Sequence, residues 1–384
     1  DKLAQAIVAA HRRAPLRAGD AATRTLRRLL QETVDELGTA ADVFPPDQVV
    51  TFGAALVAAF DQAEPVLLRR GELGQVRRCH GDLHLGNLVL IDDMPVLFDA
   101  LEFDEAIATC DILYDLAFLL MDLCKRGLHG NANRLFNRYL SISGDEPLQI
   151  EGLAALPLFL SLRAAIRAKV IAALFRLDPT RVSLRGEALA YFEAAIGFLA
   201  PVPPQLIAIG GLSGTGKTTL ATAIAPSRGR APGALHLRSD VERKHRFAVA
   251  ETTRLPAGAY QSDISAMVYD TLDDLAETAL RIGQAAIVDA AYLRLEERDA
   301  IAAVAARAGV LFLGLWLEAP VEMLVRRVKE RRRDASDATG SVVVSQARQT
   351  IGILSWHRLD SSQTLDALKA AALDLLQQAV AGRT

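Results

Sequence analysis

The spacing of hydrophobic and polar residues changes along the chain. In residues 1 to about 70 and 112 to about 199, apolar residues recur every three or four positions, which predicts amphipathic helices. Between these stretches, the apolar runs 88–91 and 96–98 flank a polar turn at 92–95 and predict a β-hairpin. We therefore expect the first half to be mostly helical, with one small hairpin.

Short continuous apolar runs replace this pattern after residue 204. Longer helical stretches separate them, an order typical of a parallel sheet covered by helices on both faces. We predict a first domain at residues 1–199, a proline-rich linker at 200–204 and an α/β domain at 205–384. The predicted strands are 206–209, 235–237, 286–288 and 311–317.

Composition argues against several classes of protein. The chain has 384 residues, a net charge of −3 and 51% hydrophobic residues, without the basic excess of proteins that bind nucleic acid or anionic membranes. No apolar run was expected to reach the ~20 residues of a membrane span. Three scattered cysteines indicate neither a disulfide framework nor a zinc site and fit a reducing cytoplasm. We expect a cytoplasmic protein that acts on a small molecule and binds neither nucleic acid nor membrane, and the oligomeric state stays open.

A phosphate-binding motif follows the first strand of the second half. Residues 211–218 fit G-x-x-x-x-G-K-[ST] between an apolar strand and a helix, the context that a P-loop requires. Glycines let main-chain N–H groups approach phosphate oxygens, and the helix N-terminus adds positive partial charge. We predict that Lys217 reaches the β- and γ-phosphates of ATP and that Thr218 binds Mg²⁺. The predicted nucleotide-binding residues are Gly211, Leu212, Ser213, Gly214, Thr215, Gly216, Lys217, Thr218 and Thr219.

Two of the later strands end in a carboxylate. Asp240 is a candidate to orient or deprotonate a substrate hydroxyl, although Asp240 and Ser239 are also good helix N-caps. Asp289 ends an apolar strand, as in a Walker B segment, and is predicted to bind Mg²⁺. Tyr292 and Arg294 follow it and are candidates to face the substrate.

Five arginines precede Asp334 on a predicted helical stretch. We predict that Arg327 and Arg331 belong to a lid that closes over the transferring phosphoryl group, and the alternative is a solvated basic helix end. The full set is Arg326, Arg327, Arg331, Arg332 and Arg333.

A second constellation lies in the first half, in the sequence His80-Gly-Asp-Leu-His-Leu-Gly-Asn87. Asp82 and Asn87 have the spacing of a kinase catalytic loop, in which the Asp accepts a hydroxyl proton and the Asn binds Mg²⁺. Asp99 follows twelve residues later, past the hairpin, where a second metal-binding Asp is expected.

These motifs carry two family resemblances. Residues 11 to about 198 resemble the C-terminal lobe of aminoglycoside phosphotransferase-like kinases, whose H-G-D-x-H-x-x-N motif matches residues 80–87. That resemblance implies Asp82 as base and Asn87 and Asp99 as Mg²⁺ ligands. Residues 206 to about 378 resemble zeta-toxin-like P-loop kinases, which implies ATP-dependent phosphorylation of a small molecule's hydroxyl group. The order of the two resembles bacterial bifunctional phosphotransferase-like/ATP-binding proteins.

The first resemblance also implies an N-terminal lobe with a phosphate-covering loop and a strand lysine. Residues 1–70 are helical in pattern, and Lys2 is their one lysine. Because the chain begins at Asp1 rather than Met, we expect this lobe to have been removed. The alternative is a relic that binds or scaffolds.

Three hypotheses follow for the whole chain. The leading one is a Mg²⁺- and ATP-dependent kinase with its active centre in the second half. In the second, the P-loop half binds ATP as a regulatory switch. In the third, the first half is the phosphotransferase when its lobe is present.

Several other polar residues were assigned structural roles. Asp111 and Asp115 are expected to cap a helix, and Arg163 and Arg167 either bind an anion or are solvated helix charges. Four other histidines are expected to have no role: His129, His236, His245 and His357.

Overall fold

The computed structural model describes residues 1–331 and 334–381. Its internal contacts divide the chain into two compact units. The first unit is Asp1–Pro201 with Arg230–Pro232, and the second is Val202–Gly229 with Gly233–Thr384. Each unit has its own sheets and its own buried side chains.

Helices make up most of the first unit, as predicted. The long helix α8 packs against α9, α5, α2 and α3, and its first ten residues are almost all buried because apolar side chains cover nearly its whole circumference. The helices are α1 Lys2–Arg13, α2 Gly19–Gly38, α3 Pro46–Glu72, α4 Glu105–Ala108, α5 Ile112–Lys125, α6 His129–Ile142, α7 Glu146–Gly152, α8 Leu156–Leu177 and α9 Val182–Leu199.

Two small antiparallel sheets complete the first unit. Strand β1, Val76–Arg78, pairs with β4, Thr109–Asp111, and this pairing was not predicted. Strand β2, Leu88–Ile91, pairs with β3, Met94–Leu97, so the predicted hairpin is confirmed. Its turn is shorter than predicted, because Asp92 and Asp93 both adopt positive φ and close the hairpin in two residues.

The second unit is built on a five-stranded parallel sheet in the order β6-β7-β5-β8-β9. The four predicted strands are confirmed, and their apolar side chains fill the core between the sheet and its helices. The edge strand β9 was missed because only one of its four residues, Leu359, is buried. The strands are β5 Gln205–Gly211, β6 Leu235–Arg238, β7 Ala286–Asp289, β8 Leu311–Glu318 and β9 His357–Asp360.

Helices connect these strands and place several helix starts beside the carboxyl ends of the strands. That edge of a parallel sheet is where ligands bind in this class of fold. The helices are α10 Lys217–Ile224, α11 Ser239–Arg246, α12 Ser262–Arg281, α13 Leu295–Arg307, α14 Val321–Glu330, α15 Gly340–Ala347 and α16 Leu365–Ala381. The sequence-based fold class is therefore confirmed: a mostly helical first part, then a parallel sheet with helices in a P-loop arrangement.

Within residues 1–331 and 334–381, one helix is long and apolar enough to span a membrane by length and composition. This helix is α3, in which Asp61 and Glu64 interrupt the apolar residues, so the sequence contains no uninterrupted apolar run of that length there. Its buried side chains, including Phe52, Leu56 and Phe60, lie on the face that packs against α2 and α8. A single helix of this kind is weak evidence for a membrane, since a core helix passes the same test.

A buried ion pair connects α3 to the start of α5. Arg70 is fully buried, and its guanidinium group donates to both carboxylate oxygens of Asp111 at 2.7 and 2.8 Å. It also donates to the carbonyl oxygen of Leu148 at 2.9 Å. Asp111 in turn accepts from the main-chain N–H of Leu113 at 2.8 Å, so it caps α5 as predicted. The pair thus joins three segments of the first unit.

Replacing Arg70 with Met is expected to lower the free energy of unfolding of the first unit by about 3–5 kcal/mol, because Asp111 would remain buried without its partner. Arg69→Met is the matched control, since Arg69 is 63% exposed and faces Glu151 at 3.5 Å. It should change stability by less than about 1 kcal/mol. Urea unfolding followed by hydrogen exchange in α3 and α5 measures both. Equal effects would contradict the role given to Arg70.

Candidate functional site

The glycine-rich loop joins β5 to α10 in a conformation that favours glycine at three positions. A Cβ atom at Gly211 would lie 2.5 Å from the carbonyl oxygen of Leu317, so the loop packs directly on β8. The left-handed region is accessible to glycine at little steric cost. The φ angles are 133° at Gly211, 89° at Gly214 and 87° at Gly216.

Lys217 begins α10, and its ammonium group folds back over the loop. Its Nζ atom donates to the carbonyl oxygens of Gly211 at 2.8 Å and Leu212 at 3.1 Å. An ammonium has three donors, so one is left for a ligand. Burial lowers the pKa of Lys217, and the carboxylates of Asp289 and Asp240 oppose that shift.

Asp289 lies at the end of β7 within a group of hydrogen-bond donors. The hydroxyl of Thr218 donates to its Oδ2 atom, and Nε2 of His236 lies 3.5 Å and Nε of Arg238 3.9 Å from the same oxygen. Burial by itself raises the pKa of Asp289. The hydrogen bond and charge of His236, with the charges of Lys217 and Arg238, more than compensate and hold it at about 2. Asp289 is therefore ionised at neutral pH.

The contact of His236 with Asp289 was missed by the sequence analysis, which expected no role for this histidine. Strands β6 and β7 pair in parallel, with Arg238 opposite Asp289. Because side chains two residues apart share one face of a strand, His236 and Arg238 both approach the same carboxylate. The His-x-Arg pattern before a helix does not predict this contact. The local sequence does not determine the register between two strands that are about fifty residues apart.

Asp240 lies in the first turn of α11, in the same cavity as Asp289 and Lys217. The N-cap position belongs to Arg238, and no side chain caps this helix, so neither Asp240 nor Ser239 acts as the N-cap. Burial raises the pKa of Asp240, and the nearby Asp289 carboxylate raises it further. Lys217 and Arg238 oppose this shift. The two carboxylates thus have pKa values that are displaced in opposite directions.

These groups line one large cavity in the second unit, with a volume of about 890 Å³. Residues 213–219 form one wall of it, whereas Gly211 and Leu212 contribute only the carbonyl groups that hold Lys217. Arg294 also lines the cavity. Tyr292 does not, because its ring is buried between Tyr269 and Trp356.

Two predicted lid arginines reach this cavity. Arg327 lies on α14 and donates to the carbonyl oxygen of Ser361 at 3.0 Å, and Arg331 follows the helix and pairs with Asp334 at 3.3 Å. Asp334 also accepts from Arg238 at 3.0 Å, which connects this segment to Asp289. Arg326 is exposed outside the cavity, and Arg332 and Arg333 lie outside the described residues.

A further contact at the loop was not anticipated from sequence. The side-chain oxygen of Gln346, on α15, accepts a hydrogen bond from the main-chain N–H of Ser213 at 2.9 Å. This N–H belongs to the loop whose amides are candidates to bind phosphate. Only the packing of α14 against α15 brings Gln346 there, so no local motif marks it.

The constellation in the first unit is also ordered. Asn87 donates from Nδ2 to the carbonyl oxygen of Asp82 at 2.9 Å and to its Oδ2 atom at 3.0 Å. His84 lies 3.3 Å from the same carboxylate. Its hydrogen bond lowers the pKa of Asp82 despite partial burial. The main-chain N–H of Phe98 donates to the carbonyl oxygen of Asn87 at 3.1 Å. This bond keeps the next residue, the exposed Asp99, close to the loop.

Two buried carboxylates of α5 hold that loop in place. Asp115 accepts from the main-chain N–H of Gly81 at 2.8 Å, and Asp122 accepts from that of Leu85 at 3.0 Å. Asp115 also contacts His11 at 3.1 Å. Asp115 therefore supports the loop and does not cap the helix, contrary to expectation. Arg163 is buried, not solvated, and stacks on the Tyr114 ring at 4.0 Å.

Each half of the chain contains a segment that matches the model of a known protein family. Residues 1–153 match the family model described as "Phosphotransferase enzyme family", and residues 206–350 match the one described as "AAA domain". The chain thus combines a segment similar to the phosphotransferase family with a P-loop segment similar to the AAA family. Both family predictions made from the motifs are confirmed.

The relatives of this phosphotransferase/P-loop chain include mycobacterial proteins. An uncharacterized protein of Mycobacterium tuberculosis strain H37Rv and one of Mycobacterium bovis are each 26% identical to it over 340 residues. These matches cover 87% of this chain. The chain spans 66% of the length of each relative.

Solved structures that resemble this chain over about half of its length include three kinases. A gluconokinase of Sinorhizobium meliloti 1021 is 17% identical, with a TM-score of 0.35, over 48% of this chain and 99% of that chain. A sugar kinase of Janibacter sp. HTCC2649 is 21% identical, with a TM-score of 0.36, over 46% of this chain and 95% of that chain. The APS kinase of Mycobacterium tuberculosis is 21% identical, with a TM-score of 0.34, over 46% of this chain and 99% of that chain.

The opposite pKa shifts of Asp289 and Asp240 predict opposite effects of removing each charge. A carboxyl whose folded pKa falls from 3.8 to about 2 contributes about 2 kcal/mol of stability above pH 4, which is lost as the pH falls toward 2. Asp289→Asn should therefore lower the free energy of unfolding by about that amount at pH 7.

Asp240→Asn is the matched control, because a group with a raised pKa contributes stability that is lost as the pH rises through its folded pKa. At pH 7 this variant should be as stable as the parent or more so. Urea unfolding at pH 7 and pH 4 checks both variants. Equal destabilisation by the two substitutions at pH 7 would refute this charge assignment.

Proposed function

We propose that this chain is a Mg²⁺- and ATP-dependent kinase that phosphorylates a hydroxyl group of a small molecule, with its active centre in the P-loop kinase domain. The observation that carries the proposal is one cavity that holds the phosphate-binding loop, the Lys217 ammonium and two carboxylates of opposite pKa shift. Pairs of titratable groups whose pKa values are pushed apart are typical of acid–base sites.

ATP would lie with its phosphates on residues 213–219. Main-chain N–H groups at the start of α10 and the third donor of Lys217 supply positive charge where the β- and γ-phosphates bind. The Ser213 N–H would exchange its bond to Gln346 for a phosphate oxygen, at little net cost in hydrogen bonds.

The site also fits Mg²⁺. The Thr218 hydroxyl and the Asp289 carboxylate are hydrogen-bonded neighbours, and both are hard oxygen ligands of the kind that Mg²⁺ prefers. Asp289 is ionised at neutral pH because its pKa is held at about 2. These two residues would hold the ion, which would neutralise negative charge on the transferring phosphoryl group.

Asp240 would serve as the base for the acceptor. Its raised pKa makes the carboxylate form of Asp240 a better proton acceptor than that of an ordinary aspartate. The acceptor hydroxyl gives its proton to Asp240, its oxygen forms a bond to the γ-phosphorus, and the bond from that phosphorus to the β–γ bridging oxygen breaks to release ADP. Arg327 and Arg331 would stabilise the charge on the transferring group from the lid side.

Lys217→Ala tests the proposed nucleotide site. It should reduce kcat/KM for ATP by about 100-fold or more, because an ammonium group would be lost from the transferring phosphates. Lys329→Ala, at an exposed position on α14, is the control and should leave both activity and affinity unchanged. ADP release with a mixture of hydroxylated metabolites and calorimetry with Mg²⁺-AMPPNP provide the measurements. Unchanged affinity and turnover in Lys217→Ala would reject the assignment.

A second candidate function is phosphotransfer by the first unit. The bonds from Asn87 and His84 to the Asp82 carboxylate favour it, since they keep the expected base and the expected metal ligand together. We also propose that the protein is cytoplasmic.

Asp82→Asn and Asp240→Asn assign the activity to one unit. We expect Asp240→Asn to reduce ADP release in the full chain by about 10²–10⁴-fold, the usual effect of losing a general base. Asp82→Asn should leave it unchanged. The reverse result would move the active centre to the phosphotransferase segment. Circular dichroism and urea unfolding ensure that both variants are folded.

A further inference from the structure

The cavity of the second unit contains a buried arginine that has no part in the nucleotide site or in the proton transfer. Arg243 lies on α11, three residues after Asp240, and both residues line the cavity. Residues at this spacing are neighbours on one face of a helix, with Cβ atoms about 5–6 Å apart. A small molecule that presents a hydroxyl group to Asp240 therefore has a second group within reach of Arg243.

Arg243 is bonded to neutral oxygen atoms. It is 7% exposed, and its guanidinium group donates to the carbonyl oxygen of Ala259 at 2.7 Å and to the hydroxyl of Ser265 at 3.3 Å. The same group stacks on the Tyr260 ring, 4.8 Å from the ring centre. A guanidinium group has five N–H donors. Two are used in these bonds, so three have no partner in the part of the chain that the structure describes.

The acidic residues on this side of the cavity do not neutralise Arg243. Each of them is opposed by a cation other than Arg243: Asp337 by Lys244 at 2.5 Å, Glu297 by Arg294, and Asp240 by Lys217 and Arg238. Among residues 1–331 and 334–381, no carboxylate forms an ion pair with Arg243. A buried charge without a counter-ion is costly, so a negatively charged group of a ligand would be stabilised here.

The start of α12 adds positive partial charge at the same place. Ser265, in the first turn of this helix, accepts the hydrogen bond from Arg243, and Ser262 begins the helix. Both serines line the cavity, and no described side chain caps α12. Asp263 is the acidic residue of this turn, but it is exposed and does not line the cavity. The free N–H groups of the first turn, the serine hydroxyls and Arg243 can therefore donate to one anion.

We propose that the acceptor is a small hydroxylated compound that carries an acidic group, and that Arg243 and the start of α12 bind this group while Asp240 receives the hydroxyl proton. This inference rests on the proposed function and names the class of its substrate. Because Asp240 and Arg243 are one helical turn apart, the acidic group and the reacting hydroxyl lie within a few bonds of each other. Arg243 binds the acceptor and does not take part in the transfer of the phosphoryl group or the proton.

Sulfate titration of the full chain saturated with Mg²⁺-AMPPNP tests the anion site without turnover. The nucleotide occupies the phosphate-binding loop, so we expect one saturable sulfate at Arg243 and Ser262, measured by calorimetry and located by crystallography with selenate. Arg243→Gln should weaken sulfate binding by about 10-fold or more, because a hydrogen-bonded charge is lost. Arg246→Gln is the matched control, since it removes the same charge from an exposed position on α11 outside the cavity.

Equal sulfate affinities of the two variants would overturn the proposal, and so would selenate that binds the loaded parent protein away from Arg243 or not at all. Circular dichroism and urea unfolding show whether each variant is folded. If Arg243→Gln does not fold, the position of selenate in the parent protein decides.

Matched acceptors test the substrate class by turnover. ADP release is compared for D-glucitol with D-gluconate and for glycerol with glycerol phosphate, which separate a carboxylate from a phosphate as the acidic group. A mixture of hydroxylated acids, with the product identified by mass spectrometry, widens the search. The acidic member of a productive pair should have a kcat/KM about 10-fold higher or more. Arg243→Gln should abolish this preference through a higher KM, with kcat changed by less than about threefold, since Arg243 contacts the bound acid and not the reacting atoms.

Two results of the turnover experiment would refute the inference: an uncharged acceptor that the parent protein prefers, or a preference for the acid that persists in Arg243→Gln. If no compound stimulates ADP release, the proposed function fails. The sulfate titration then still decides whether Arg243 holds an anion, so the two failures are distinguishable.

Discussion

The candidate site in the P-loop domain depends on holding two carboxylates near one lysine inside the protein. Burial and mutual repulsion disfavour ionisation of both, so cations must surround whichever one stays charged. Asp289 has the cations Arg238 and Lys217 and the side chain of His236 beside it, whereas the ionisation of Asp240 is opposed by Asp289 itself. The hydrogen bond from Thr218 to Asp289 then fixes the start of α10 against the end of β7. The Thr218–Asp289 hydrogen bond therefore both stabilises the carboxylate charge and fixes the position of α10 relative to β7.

That arrangement extends into the segment after α14. Arg238 lies between Asp289 and Asp334, and Asp334 pairs with Arg331. A few residues on, Asp337 accepts from Lys244 at 2.5 Å, from Tyr260 at 2.6 Å and from the main-chain N–H of Leu255 at 2.9 Å. The carboxylates of this segment therefore connect Arg238, beside Asp289, to Lys244 on α11 and to Tyr260. A ligand that changes the charge near Asp289 would therefore also change the strength of the ion pairs that hold the segment after α14.

The sequence predicted the parts of the site that are local in the chain, and it missed those created by packing. A strand, a glycine-rich turn and a helix start are consecutive in the sequence, so residues 211–219 can be recognised there as a candidate phosphate-binding loop. His236 and Gln346 do not, because one depends on the register of β6 with β7 and the other on the packing of α15. The edge strand β9 was missed for a related reason: with one buried side chain it has no apolar run to detect. Helix α3 is apolar in overall composition, but its apolar residues are divided between a core face and exposed positions such as Val50 and Leu68.

The hydrogen bonds that hold the loop of Asp82 bear on whether the first half of the chain is a relic. Asp115 and Asp122 are buried in α5, and each accepts a hydrogen bond from the loop that carries Asp82. Buried carboxylates are costly, and apolar residues of similar size often serve a scaffold as well or better. A segment kept only for its shape gains nothing from holding Asp82 ionised beside Asn87. The presence of both buried carboxylates under this loop therefore favours a loop that positions Asp82 for a ligand.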